Sequence, residues 1–164
     1  MAEKTDLIGA IIEDWQQYDA TLNTNGTEVV GRVVRLASLI NRQVDENLAQ
    51  YDLQVGEFDV LAALLRNPSH QLTPSQLQTV ILISSGGLSN RINRLEKRGW
   101  IERLPDANDK RGVIVSLTAS GKDLITRAVQ SHLALENTLV AHLSGASQGQ
   151  MATLLHDWLK KLEG

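Results

Sequence analysis

The pattern of apolar and polar positions predicts a chain made mostly of helices, with one two-stranded ribbon. Apolar residues recur at helical spacing in six or seven segments, the clearest being residues 6–18, 28–49, 57–66, 84–99, 118–143 and a last segment after residue 145. Residues 100–104 and 113–117 alternate instead, as strands do, with a turn-rich stretch at 105–112 between them. The order of these elements predicts a mainly α (α+β) fold with a winged helix-turn-helix at its centre.

Signals at the ends of the segments support this division. Thr73, Pro74 and Gln76 form the sequence of a capped helix start, with a hydroxyl cap, a proline in the first turn and a capping-box glutamine. Gly99 predicts the end of the helix over residues 84–99, and Thr118 predicts the cap of the next long helix. A helix-turn-helix whose second helix, here over residues 84–99, runs directly into a two-stranded ribbon is typical of a winged DNA-binding lobe.

Charge is concentrated in that same segment. Residues 84–112 carry seven basic and four acidic side chains, a local net charge of +3 that leaves −6 for the rest of a chain whose total is −3. A basic lobe on an acidic body suits a protein that presents one face to phosphate groups.

Length and composition limit the remaining possibilities. A chain of 164 residues holds one domain with extensions, and its lack of cysteine excludes disulfides and thiolate chemistry. No apolar run is long enough for a bilayer and the first residues lack the features of a signal peptide, so we expect a cytoplasmic protein without a membrane partner. We divide the chain into N-terminal helices for ligand cover and dimerisation (1–50), the winged helix-turn-helix DNA-binding domain (51–118) and C-terminal dimerisation helices (119–164).

The stretch DKRGVIVSLT, together with LTPSQLQTVILISSGGLSNRINRLEKRGW before it, resembles the multiple-antibiotic-resistance-regulator (MarR) family. An Asp-x-Arg wing followed by a strand ending in Leu-Thr is a hallmark of that family, and it is matched here by Asp109, Arg111, Leu117 and Thr118. The resemblance implies an obligate homodimer with two winged lobes. It further implies binding to palindromic double-stranded operator DNA and release by a small-molecule effector.

The expected DNA contacts lie on the second helix of the motif and on the wing. They are Ser85, Gly86, Ser89, Asn90, Arg91, Arg94, Asp109 and Arg111. Short hydroxyl and amide groups and forked guanidinium groups read base edges and phosphates, and a glycine lets the backbone come close to a phosphate. Two alternatives stay open: that the glycine pair at 86–87 only permits tight helix packing, and that Asp109 only forms a local surface pair with Arg111.

A second group of residues predicts an effector site outside the DNA-binding lobe. In the helix over residues 57–66, Asp59 and Arg66 share one stripe with Ala62 and Ala63 between them. Asp59 and Arg66 are seven positions apart, about 10 Å along a helix, so the carboxylate and the guanidinium do not pair closely. This stripe suits a flat ligand with a donor edge and an anionic edge.

The urate-responsive, PecS-like branch of the MarR family has a similar pattern and an added N-terminal helix that bears a Trp, matched here by Trp15. The resemblance implies that Trp15 covers a purine such as urate, or a related aromatic anion, that Arg66 pairs with its charge and that Asp59 accepts from a ring N–H. It also implies a further polar or basic residue at the start of the recognition helix (the helix over residues 84–99), for which Arg91 is the nearest candidate. The plainer alternatives are that Trp15 belongs to a core or a dimer interface, that Asp59 only favours the helix dipole and that Arg66 only covers the last turn.

Enzymatic, metal and cofactor functions are not predicted. The four histidines lack a ligand spacing, and no nucleophile with a matching base is recognisable. The leading hypothesis is a ligand-responsive transcription regulator that acts as a repressor. The alternative is a winged-helix protein-interaction module that does not bind DNA, which would favour apolar or acidic residues on the outer face of its second helix.

Overall fold

The computed structural model describes residues 5–81, 87–106 and 112–164, and these form two compact units, Met1–Glu46 and Asn47–Gly164. The described helices are α1 (Leu7–Tyr18), α2 (Asn25–Ala49), α3 (Val55–Arg66), α4 (Pro74–Val80), α5 (Leu88–Lys97), α6 (Ala119–Val140) and α7 (Gly145–Leu162). The described strands are β1 (Gln71–Leu72), β2 (Ile101–Pro105) and β3 (Val113–Leu117). In this part of the chain no helix has both the length and the apolar character to span a bilayer.

The first unit contains α1 and most of α2. Asp6 caps α1, because its Oδ1 accepts a hydrogen bond of 2.7 Å from the backbone N–H of Gly9. The other carboxylate oxygen accepts from Nε of Arg32 on α2 at 2.8 Å. These bonds hold the pKa of Asp6 below its ordinary value, the Gly9 bond being the larger cause. One carboxylate thus begins the first helix and ties it to the second.

The core of the second unit is built around α3. Eight of its twelve residues are buried, and the fully covered side chains include Val60, Leu61 and Leu64. Neighbouring elements contribute Leu77 from α4, Leu95 from α5, Ile101 from β2, Val115 from β3 and Ile125 from α6. Because α3 lies at the centre of this unit, α4, α5 and α6 all pack against it.

The sheet has one more described strand than the sequence predicted. Its order is β1-β3-β2 and both pairings are antiparallel, with Arg103 opposite Val115 and Gln71 opposite Ser116. The prediction of a two-stranded ribbon was therefore incomplete. A strand of two residues shows no alternation, and it follows a turn with His70 at φ 56° and Pro68 just before, so the pattern contains no signal for it.

The predicted helix caps at Thr73 and Thr118 and the predicted helix end at Gly99 are confirmed, whereas α2 and α3 begin earlier than predicted, at Asn25 and Val55. Thr73 Oγ1 accepts from the N–H of Gln76, whose side chain bonds back to the N–H of Thr73. Thr118 caps α6 in the same way through the N–H of Gly121. Gly99 has φ 72°, a conformation that favours glycine, and it ends α5 in a Schellman motif: Trp100 N–H donates to Leu95 and Gly99 N–H to Glu96. This motif turns the chain sharply from α5 into β2.

Candidate nucleic-acid interface and effector site

The outward face of α5 is polar, as the sequence predicted. Leu88, Ile92 and Leu95 are buried against the core, and the opposite face leaves Ser89, Asn90, Asn93 and Arg94 exposed. Asn93 was not among the predicted contacts, although its place between Asn90 and Arg94 puts it on the same surface. Amide and guanidinium groups on one exposed helix face can donate to phosphates and base edges.

Four predicted contacts lie outside the described residues. They are Ser85, Gly86, Asp109 and Arg111, and the expected helix start near residue 84 also falls there. Their roles, and the two alternatives given for the glycine pair and for Asp109, stay predictions.

Arg103 connects the wing to α5. From β2, its Nη2 donates to Oδ1 of Asn93 at 2.6 Å and its Nη1 forms an ion pair with Glu96. The strand that leads into the wing is thus bonded to the exposed face of α5. The sequence offers no signal for this contact, because the residues are seven and ten positions apart on different elements.

The buried carboxylate of Glu57 connects α3 to α5. Its Oε1 lies 3.3 Å from Nε of Arg94, and its Oε2 accepts from the backbone N–H of Gln54 at 3.0 Å and lies 3.9 Å from Nη1 of Arg98. Arg98 also pairs with Asp52 and stacks over the ring of Trp100 at 3.7 Å. The sequence contains no signal for these contacts of Glu57, because a glutamate in the first turn of a helix is usual whether or not anything else binds it.

Arg91 leaves the outward face of α5 and lies against the first turn of α3. A Cβ atom at Gly56 would come within 2.6 Å of Cζ of Arg91, and one at Gly87 within 3.2 Å. The absence of a side chain at position 56 therefore makes room for this guanidinium. Nη1 of Arg91 is buried and has no hydrogen-bond partner among the described residues, although a buried donor normally has one.

Asp59 faces several positive groups from a half-buried position on α3. Burial raises the pKa of its carboxyl above the ordinary value, and the charges of Arg91, Arg66 and then His132 oppose that rise. Asp59 also lies near the start of α3, where the helix dipole favours a carboxylate, so that alternative stays open. Arg66 from α3 and Arg91 from α5 thus both act electrostatically on Asp59.

His132 was missed as part of this neighbourhood. It lies on α6, its ring centre is 4.8 Å from that of Phe58, and its Nε2 is 3.2 Å from Oε1 of Glu136. The spacing of the four histidines in the sequence indicates only that they do not match a zinc site. Within the described residues no group of His, Asp and Glu side chains is arranged to hold a metal ion.

The remaining effector candidates differ in their setting. Arg66 is exposed at the end of α3, whereas Ala62 and Ala63 are 3% and 4% exposed, so the expected open wall between Asp59 and Arg66 is covered. Trp15 belongs to the first unit, is 49% exposed and makes an edge-to-face contact with Tyr18 at 6.0 Å. Its participation in a site with Asp59 stays a prediction.

Comparison with known proteins identifies the family. A family model described as MarR family matches residues 51–112. The transcriptional regulator PecS of Dickeya dadantii is 32% identical over 149 residues, which cover 90% of each chain. The chain belongs to the MarR family of transcriptional regulators. The family identity agrees with the expectation of a regulator rather than an enzyme.

Solved structures of MarR proteins share the fold. A mutant MarR from Escherichia coli, crystallised with operator DNA, is 29% identical, with a TM-score of 0.69 over 94% of this chain and 99% of that one. AbsC from Streptomyces coelicolor is 21% identical and shows the fold alone, with a TM-score of 0.76 over 87% of this chain and 98% of that one. The mainly α winged helix-turn-helix predicted from the sequence is confirmed for this MarR-family chain.

Proposed function

We propose that this chain is a repressor that binds palindromic operator DNA as a homodimer in the cytoplasm and is released by a small aromatic anion such as urate. The DNA-binding part is supported by the polar, basic outer face of α5 and by the similarity to a MarR protein that was crystallised with operator DNA. The alternative of a protein-interaction module is not favoured, because it would need apolar or acidic residues on that face. The exposed residues there are instead polar or basic: Ser89, Asn90, Asn93 and Arg94.

The observation that carries the effector part is the position of Arg91. This residue belongs to α5, which we assign to DNA, yet its guanidinium lies at the first turn of α3 and acts on the charge of Asp59. An anion that binds beside Asp59 and Arg91 would draw on the buried donor Nη1 of Arg91. Since Arg91 is part of α5, the same anion would move or restrain the DNA-binding helix.

Urate fits the chemistry of these groups. It is a flat purine that carries negative charge at neutral pH, so guanidinium groups can pair with it, and its ring N–H groups can donate to a carboxylate. Trp15 supplies an aromatic surface on the added N-terminal helix, and PecS, a relative at 32% identity, supports placing the chain in this branch.

The test is fluorescence anisotropy of a labelled fragment of the gene's own upstream DNA, titrated with protein with and without urate. We expect sequence-dependent binding and a dissociation constant that rises roughly 5- to 150-fold with saturating urate, the usual range of allosteric coupling. Equal binding to a scrambled fragment of the same length would overturn the DNA assignment. Specific binding that ignores urate would overturn the effector assignment and leave the regulator.

A further inference from the structure

Glu57 is a charged residue that the proposed function does not yet use, and it is 3% exposed. A buried carboxylate is costly unless hydrogen bonds and opposite charges compensate it. Here the backbone N–H of Gln54 and the guanidinium groups of Arg94 and Arg98 provide that compensation, at 3.0, 3.3 and 3.9 Å. The carboxylate therefore joins the first turn of α3 to the second half of α5.

The two arginines differ in what else they contact. Arg98 is occupied within the protein, since it also pairs with Asp52 and stacks on Trp100. Arg94 donates through Nη2 to Oε1 of Gln54 at 3.0 Å and through Nε towards Glu57, yet 51% of its side chain is exposed. One edge of the Arg94 guanidinium is thus bound to α3, while the exposed part lies on the face of α5 that we assign to DNA.

We propose that Glu57 is a positioning residue for operator binding, and that it acts by holding Arg94 in the orientation in which it contacts a phosphate. This inference rests on the proposed function. A free arginine on an exposed helix loses rotamer freedom when it binds, whereas one that is already fixed by Glu57 and Gln54 loses less. Fixing one side chain in this way is worth roughly 2- to 10-fold in affinity.

The sign of the effect separates positioning from simple electrostatics. Glu57→Gln removes a negative charge close to the DNA-binding face, so a purely electrostatic role predicts tighter binding to DNA. Positioning predicts weaker binding, because a neutral amide holds a guanidinium less firmly than a carboxylate does. Glutamine still suits the capping position at the start of α3, so the helix keeps its hydrogen bond to Gln54.

The experiment is a double-mutant cycle by anisotropy on the labelled upstream fragment, repeated between about 50 and 200 mM salt. We expect Glu57→Gln to weaken binding roughly 3- to 10-fold and to lower the salt slope by up to about 0.9, the value of one phosphate contact. In an Arg94→Ala background, Glu57→Gln should have no further effect. Equal weakening in both backgrounds, or tighter binding, would overturn the proposal.

Two further variants keep the outcome interpretable. Glu102→Gln removes the same charge from the exposed face of β2 and should leave affinity unchanged or slightly higher. Gln54→Met removes the acceptor for Nη2 of Arg94 at an exposed position and should weaken binding only when Arg94 is present. If Glu57→Gln fails to fold, this variant tests whether the orientation of Arg94 matters for binding.

If the parent protein does not bind the fragment, the proposed function fails. If the parent binds and Glu57→Gln and Gln54→Met bind equally well, only the role of Glu57 fails.

Discussion

Asp59 is held in a position that disfavours its charge, and this has consequences for both stability and ligand binding. Because burial raises the pKa of Asp59, the ionised carboxylate costs folding free energy at neutral pH. The contribution of Asp59 to the free energy of unfolding is therefore fully present only below the ordinary carboxyl pKa of 3.8. It is lost as the pH rises through the raised pKa of the folded state. An effector that donates to the carboxylate would offset the cost.

Asp59→Asn is therefore expected to raise the melting temperature at pH 7 relative to the parent, with the difference shrinking as pH falls towards about 4. The same change should weaken urate binding about 10- to 100-fold, because a hydrogen bond to a charged group is lost. Thermal melts across this pH range and titration calorimetry with urate measure the two effects. Asp123→Asn, at an exposed carboxyl on α6, is the control, and equal urate affinity in Asp59→Asn and the parent would contradict the assignment.

Gly56 matters because the guanidinium of Arg91 occupies the space that a side chain would need. We expect Gly56→Ala to displace the end of Arg91 while α3 stays folded, since an alanine in a helix gains about 0.5–1 kcal/mol over glycine and the arginine is flexible. Stability should change by less than about 1 kcal/mol in denaturant melts. The effect of urate on operator affinity should fall at least about threefold, within the range that allosteric coupling allows.

Gly149→Ala is the matched control for that change. A Cβ at this position on α7 meets nothing within 4 Å, so the variant reports the gain in helix stability alone. An unchanged urate response in Gly56→Ala would mean that the position of Arg91 is not needed for coupling.

At the scale of whole elements, the sequence predicted those features that depend only on residues close together in the chain. The cap at Thr73, the end of α5 at Gly99 and the alternation of β2 and β3 all depend on residues a few positions apart, and each was predictable. The contacts of Glu57 with Arg94 and of Arg103 with Asn93 depend on how separate elements pack. A single sequence contains no pattern for them, which is why the polar face of α5 was predicted but its supports were not.

The contact between β2 and α5 predicts that the wing and the DNA-binding helix are oriented together. Arg103→Met should cost less than about 1 kcal/mol of stability, because the ion pair is partly exposed. The variant should still weaken operator binding, by about 2- to 5-fold, because the bonds of Arg103 no longer hold Asn93 and the strand that leads into the wing. This range corresponds to the loss of a surface ion pair worth about 0.5–1 kcal/mol. Anisotropy and thermal melts measure the two quantities.

Arg127→Met, at an exposed position on α6, removes an equal charge and serves as the control for Arg103→Met. If both variants lose affinity to the same extent, the effect is one of net charge and the tie between β2 and α5 has no role in binding.

At the scale of the molecule, large apolar side chains remain exposed on the terminal helices of each unit. In the first unit they include Leu7, Ile11, Val30, Val34 and Leu36, and on α7 they are Met151, Leu154, Leu155, Leu159 and Leu162. Several large apolar side chains exposed on one helix are typical of an interaction site on a protein in water. A second copy of the chain is the partner that the proposed repressor requires, because a palindromic operator presents two equal half-sites about 34 Å apart.

Leu159→Glu on α7 tests this assembly. Leu159 is 56% exposed on one chain, so we expect a glutamate there to leave the fold of the monomer intact but to place a charge in the proposed dimer interface. We expect sedimentation to give about twice the 18.0 kDa of one chain for the parent and a single-chain mass for the variant. Operator affinity should fall by more than tenfold, because one half-site contact no longer assists the other.

Gln150→Glu adds the same charge at an exposed polar position of α7 and should stay dimeric. A parent protein that sediments as one chain yet binds the full palindrome would place the dimer on the DNA rather than in solution, and a dimeric Leu159→Glu would exclude Leu159 from the interface.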